Sequence, residues 1–223
     1  DSIRSDLKSP VTILVAHIKD ELPPLLAVGY ALTQGRKLPK VPARGDGILH
    51  WDKFLAGGRR LKESLPKKYG RAEEGASILY SGGTTGTTKG ILLSNLNFNA
   101  LALQTIAASG FSPIDGMKML SVMPVFHGFG LGIGIHTALV GGATCILVPQ
   151  FNVKTYAELL KKKKPHIIPG VPTLFEALLR ADNLEGADLS FLKGVFCGGD
   201  SLSIELKKKV DDFLTAHNAS VQI

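Results

Sequence analysis

From residue 76 to the end, short apolar runs alternate with helix-period stretches across turns marked by Gly or Pro. No other feature constrains the fold as much, because strands separated by helices pair most readily as βα units in a mostly parallel sheet. Strands are expected at residues 76–81, 118–122, 143–148, 166–169 and 194–197. Ser94 is placed to cap a helix running to Ala108. Tyr156, Leu159 and Leu160 follow helical spacing, and Pro165 blocks continuation just beyond Lys161, Lys162, Lys163 and Lys164. That lysine run reads as a solvated helix end that complements the helix dipole. A last helix, at residues 204–217, places Leu206, Val210, Phe213 and Leu214 on one face. The fold class is therefore α/β, a mostly parallel, doubly wound sheet flanked by helices.

The first 75 residues are less regular, with a strand expected at 11–17 and a short apolar helix at 24–33. Residues 35–75 read as an irregular basic connection, anchored by Trp51, Phe54 and Leu55, and residues 76–223 as the βα core. The formal net charge of +7 is concentrated in this connection: residues 36–71 hold eleven Lys or Arg against three acids, or +8, so the remainder sums to −1. The aromatic residues of this connection, Trp51 and Phe54 among them, read as apolar anchors rather than as a base-stacking series, so a nucleic-acid partner is not expected. The basic segment reads as solvated surface or as a patch facing a polyphosphate. Cys145 and Cys197 lack metal-site or redox-motif spacing and are expected reduced and buried. Apolar runs stop short of the roughly 18 residues a membrane span needs, so a cytoplasmic protein without a transmembrane segment is expected.

The chemically densest stretch is Tyr80-Ser81-Gly82-Gly83-Thr84-Thr85-Gly86-Thr87-Thr88-Lys89-Gly90. Glycines let backbone N–H groups approach a ligand, the hydroxyls of Ser81, Thr84, Thr85, Thr87 and Thr88 add donors, and Lys89 supplies a point charge. Such a set suits the oxygens of a polyphosphate, and Thr84 or Thr85 is placed to reach a magnesium ion bound to it. It is not a Walker loop, since Lys89 is followed by Gly90 rather than by Ser or Thr.

Residues 80–90 resemble the signature of the adenylate-forming (AMP-binding) superfamily, which includes acyl-CoA synthetases, luciferases and adenylation domains of peptide synthetases. Thr88 stands where the family usually has proline. Met123-Pro124-Val125-Phe126-His127-Gly128-Phe129-Gly130 is similar to the family's segment bordering the acyl pocket. Gly170-Val171-Pro172-Thr173-Leu174 resembles its helix start beside the acyl site. Phe196-Cys197-Gly198-Gly199-Asp200 resembles the Gly-Gly turn that meets adenine and the acyl carbonyl, with Cys197 for the commoner serine and Asp200 for alanine or glutamate. The alternation of Gly128, Gly130, Gly132 and Gly134 with Phe129, Leu131, Ile133 and Ile135 reads equally as close helix packing or as the wall of a slot for an alkyl or aryl chain.

The resemblance implies part of an acyl-CoA synthetase-like N-terminal domain, within an enzyme that activates a carboxylic acid, with a fatty acid as the expected substrate, using ATP and passing it to CoA. His127 and Lys89 would be catalytic. Ser81, Gly82, Gly83, Thr84, Thr85, Gly86, Thr87, Thr88 and Lys89 would hold the phosphates, with Thr84 toward Mg2+. Phe126, His127, Gly128, Val171, Gly198, Gly199 and Asp200 would border the acyl and adenine pockets. His127, where amino-acid-activating domains carry aspartate, points to plain carboxylic acids. The alternatives are an aryl- or amino-acid adenylating enzyme and a noncatalytic nucleotide-binding module. The family's later adenine, ribose and catalytic-lysine segments are not found in the sequence, so residues 1–223 are expected to be an internal fragment without turnover, with exposed sheet edges prone to self-association.

Overall fold

A computed structural model describes residues 12–38, 47–59, 70–81, 88–110, 113–148 and 150–223. The chain divides into two compact units, Asp1–Lys68 and Tyr69–Ile223. In the first, β1 (Ile13–Val15) pairs in parallel with β2 (Ile48–His50). The apolar helix α1 (Pro24–Leu32) starts on a proline, and α2 (Trp51–Arg59) carries stacked Trp51 and Phe54 rings 5.5 Å apart. The indole N–H of Trp51 donates to Glu21 at 2.8 Å. The stretch expected to be irregular thus contains a strand and a nine-residue helix. Its many Gly, Pro and basic residues concealed a three-residue strand whose partner lies far back in the chain.

The second unit opens with β3 (Gly75–Ser81) and β4 (Lys89–Ser94), which form an antiparallel hairpin. The sequence predicts strand, loop and helix here; a second strand intervenes, because the apolar run after Gly90 pairs back onto β3. Helix α3 (Asn95–Ala108) then starts with a reciprocal cap in which Ser94 and Asn97 each accept the other's amide. The remaining strands are β5 (Lys118–Ser121), β6 (Thr144–Leu147), β7 (Ile167–Gly170) and β8 (Gly194–Cys197). They form a four-stranded parallel sheet in the order β6-β5-β7-β8.

Helices cover both faces of this sheet, as expected for a doubly wound fold. Successive strand residues point to opposite sides: Leu120, Ile168 and Val195 enter one core, Met119 and Ile167 the other. The first core is filled by α5 (Val153–Lys163), α6 (Pro172–Leu179) and α7 (Ile204–Ala216), through Tyr156, Leu160, Phe175, Leu178, Val210 and Leu214. Asn152 and Ser203 cap α5 and α7, and α5 ends with Lys164 in the left-handed region before Pro165. The hydroxyl of Tyr156 is buried there without a hydrogen bond, and burial pushes its pKa far up.

The other face carries α3 and a π-helix, Phe129–Thr137, that runs into the single turn α4 (Ala138–Val140). Ser121 donates to the carbonyl of Gly134, and the Thr137 hydroxyl donates to the Gly132 carbonyl at 2.9 Å. The alternating glycines serve close packing: a Cβ on Gly130 would lie 2.1 Å from the Pro124 carbonyl oxygen, and one on Gly132 2.6 Å from Leu101. Cys145 and Cys197 are free, as expected, but half-buried rather than fully buried. Among the described residues no helix is long and apolar enough to cross a membrane.

Candidate active site at the strand ends

Parallel strands deliver their following loops to one edge of a sheet, and ligands bind best where consecutive connections leave in opposite directions. Here the chain passes from β5 to β6 on one side, then to β7 on the other side of β5. The loops after these three strands line a groove of about 790 Å³ through Val122, Phe126, Val148, Phe151, Val171 and Thr173. Two residues expected at the acyl and adenine pockets, Phe126 and Val171, therefore share one cavity. Phe126 is 78% exposed, so its ring stands in the opening rather than in the core.

The turn after β8 reaches the same edge. The Gly198 amide donates to the Gly170 carbonyl at 3.0 Å, joining the turn to the end of β7. A Cβ on Gly198 would sit 2.7 Å from the Phe129 ring. Gly199 has φ +78° and its missing Cβ faces Val171 at 3.3 Å. This leaves bare backbone at the sheet edge, which suits the close approach of a flat ring or a carbonyl group. Asp200 is exposed and accepts from the Ser201 amide. Burial, then the Asp200 charge, pushes the Cys197 thiol up, so this cysteine is a poor nucleophile.

His127 is exposed and held by its own backbone: its Nδ1 accepts from the Phe129 amide at 3.2 Å. An accepting Nδ1 leaves the proton of the neutral ring on Nε2, which is then a donor. Gly128 lies beside the hairpin, with its missing Cβ 3.6 Å from Leu79 of β3. Ser81 and Lys89 face each other across that hairpin as the two feet of the glycine- and hydroxyl-rich loop. Lys89 and Thr88 are exposed and Ser81 is half-buried. Gly82, Gly83, Thr84, Thr85, Gly86 and Thr87 lie outside the described residues, and with them the expected magnesium contact at Thr84. Among the described residues no cluster of three or more His, Cys, Asp or Glu could hold a metal ion.

A second cavity was only half legible. An apolar slot of about 250 Å³ lies under the π-helix, lined by Thr105, Ile106, Met119, Ile133, Ile167 and Phe196, with Phe129 also in its wall. Phe129 and Ile133 belong to the alternating run, so that run does both things its pattern allows: glycines pack, and apolar residues between them line a slot. Met119, Ile167 and Phe196 were not anticipated. The available signal was the two-residue period of their strands.

A family model described as AMP-binding enzyme matches residues 10–222. The long-chain-fatty-acid–CoA ligase of Bacillus subtilis (strain 168) is 31% identical over 202 residues, which is 89% of this chain and 35% of that protein. A probable 4-coumarate–CoA ligase of Dictyostelium discoideum is 32% identical over 139 residues, 61% of this chain and 25% of that protein. Among solved structures, ATP-bound MatB from Rhodopseudomonas palustris superposes with a TM-score of 0.64 at 20% identity, covering 95% of this chain and 39% of that one. The inhibitor-bound N-terminal domain of FACL13 from Mycobacterium tuberculosis gives 0.65 at 18% identity, covering 92% of this chain and 48% of that one. The chain spans between a quarter and about a third of the length of the curated relatives it matches.

Proposed function

Since the chain belongs to the AMP-binding enzyme family, we propose that its protein joins an apolar carboxylic acid to CoA through an acyl-adenylate made from ATP. A carboxylate oxygen attacks the α-phosphorus as the bond to pyrophosphate breaks. The CoA sulfur then attacks the acyl carbonyl, and AMP leaves. Such catalysis rests on holding charged oxygens in line and neutralising the charge that develops. Lys89, with Ser81, Thr88 and residues 82–87, would hold the β- and γ-phosphates, and Thr84 would be the contact for Mg2+, which would supply charge neutralisation when bound. His127 offers its Nε2 proton to the acyl carboxylate. Phe126, Gly128, Val171, Gly198, Gly199 and Asp200 border the acyl and adenine positions, and the acid's tail enters the slot beneath Phe129.

The observation that carries this reading is that Phe129, whose ring packs on Gly198, also lines the apolar slot, while Val171, packed on Gly199, lines the larger groove. The test is ATP–pyrophosphate exchange with a panel of carboxylic acids. Exchange should be stimulated by alkyl and aryl monocarboxylates and not by amino acids, and Lys89→Ala should lower it at least about tenfold, the loss of one charged phosphate contact. Stimulation by amino acids alone, or exchange indifferent to Lys89, would overturn the assignment.

A further inference from the structure

Six lysines gather at the end of the sheet opposite the candidate site. Lys118 opens β5, Lys161, Lys162, Lys163 and Lys164 close α5, and Lys193 precedes β8. Separate contacts tie them into one surface. The Lys118 ammonium donates to the Lys163 carbonyl at 3.2 Å, and the Lys118 amide donates to Nδ1 of His166 at 2.9 Å. The Lys193 amide donates to the His166 carbonyl at 2.7 Å. Burial first, and then the charges of Lys118 and Lys193, hold the His166 imidazolium below its ordinary range, so the field of both lysines reaches it.

These charges stand without close ion-pair partners among the described residues. All six lysines are exposed. Helix α7 shows the contrast: Lys207, Lys208 and Lys209 are paired with Asp211, Asp212 and Glu205 respectively. The carboxylate of Asp188 feels Lys164, but it is held chiefly by the amide and hydroxyl of Ser190. The carbonyl end of α5 offsets about half an elementary charge, far less than six ammonium groups. The group contains no arginine to fork onto a single phosphate and no large aromatic ring to stack on a base. Exposed point charges spread over several elements match a broad anionic surface.

We propose that this lysine face docks the protein peripherally on an anionic phospholipid bilayer, leaving the opposite strand ends turned to water. The proposal does not depend on the reaction assigned above. The test is co-sedimentation with vesicles of phosphatidylcholine alone and of phosphatidylcholine with about a third phosphatidylserine. Binding is expected to the anionic vesicles only and to fall steeply between roughly 0.05 and 0.3 M salt. Lys162, Lys163 and Lys193 make no side-chain hydrogen bond among the described residues, so Lys162→Gln/Lys163→Gln/Lys193→Gln should leave circular dichroism unchanged. Each lysine near such a surface strengthens binding roughly fivefold, so this variant should lose on the order of a hundredfold. The control Lys207→Gln/Lys208→Gln/Lys209→Gln should change binding less than about threefold, its charges being already paired. Retention by the first variant would assign vesicle binding to residues 36–71 and overturn the proposal. Equal loss in the control would reduce it to net charge, and capture by polyglutamate without vesicle binding would assign an acidic protein instead. The wild-type comparison of the two vesicle types stands even if a variant fails to fold.

Discussion

The two faces of the parallel sheet are covered by helices alike but filled differently. Against α5, α6 and α7 the strands bury a continuous core that includes Leu120, Ile168, Val195, Tyr156 and Phe175. Against α3 and the π-helix the buried cluster is smaller, made by Ile114, Met119, Ala138, Ala143 and Ile167, and a slot of about 250 Å³ opens beside it. One face holds the fold together, and the other has given up packing for room. A void forfeits the dispersion contacts its lining would otherwise make, so the hollow face stabilises the unit less for a similar number of strand residues.

The sharpest way to break this comparison is to truncate neighbours that point to opposite faces. Leu120 is 0% exposed and Met119 3%. Leu120→Ala should cost about 3–5 kcal/mol, the upper part of the range for a packed site, whereas Met119→Ala should cost less than about 2, because part of its surroundings is already empty. Equal losses in urea denaturation would mean that the two faces are equally packed. Adding volume reverses the test. Val195→Phe should cost about 1–3 kcal/mol from overpacking, while Ile133→Phe, which extends into the slot, should cost under about 1. The smallest effect concerns a flaw inside the solid face. Because the Tyr156 hydroxyl is buried without a partner, Tyr156→Phe should raise stability by about 1 kcal/mol, read as a higher thermal midpoint. Destabilisation would show that the hydroxyl is satisfied by bound water.

Local chemistry made much of this legible. Ser94 capping α3, Pro165 closing the stretch after α5 and the four strands of the parallel sheet are each set by a few adjacent residues, and their positions agree with expectation to within two residues. Where a partner distant in the chain decides, the reading fell short. Strand β2 exists because Ile48, Leu49 and His50 lie beside Ile13, Leu14 and Val15, and β4 because its residues pair back onto β3. The candidate site divides the same way. Phe126, Val171, Gly198 and Gly199 were singled out by their motifs, but the ring of Phe129 that meets Gly198, and the slot wall of Met119, Ile167 and Phe196, arise from elements meeting in space.

Order along the chain determined by itself the alternation of strands and helices, the helix caps and the residue types in the candidate phosphate and acyl motifs, since these depend on neighbours within a few positions. Only the tertiary structure decided which face of the sheet is hollow and which lysines stand unpaired at its far end. Volume and charge balance are sums over residues brought together from distant elements, and no local pattern contains them.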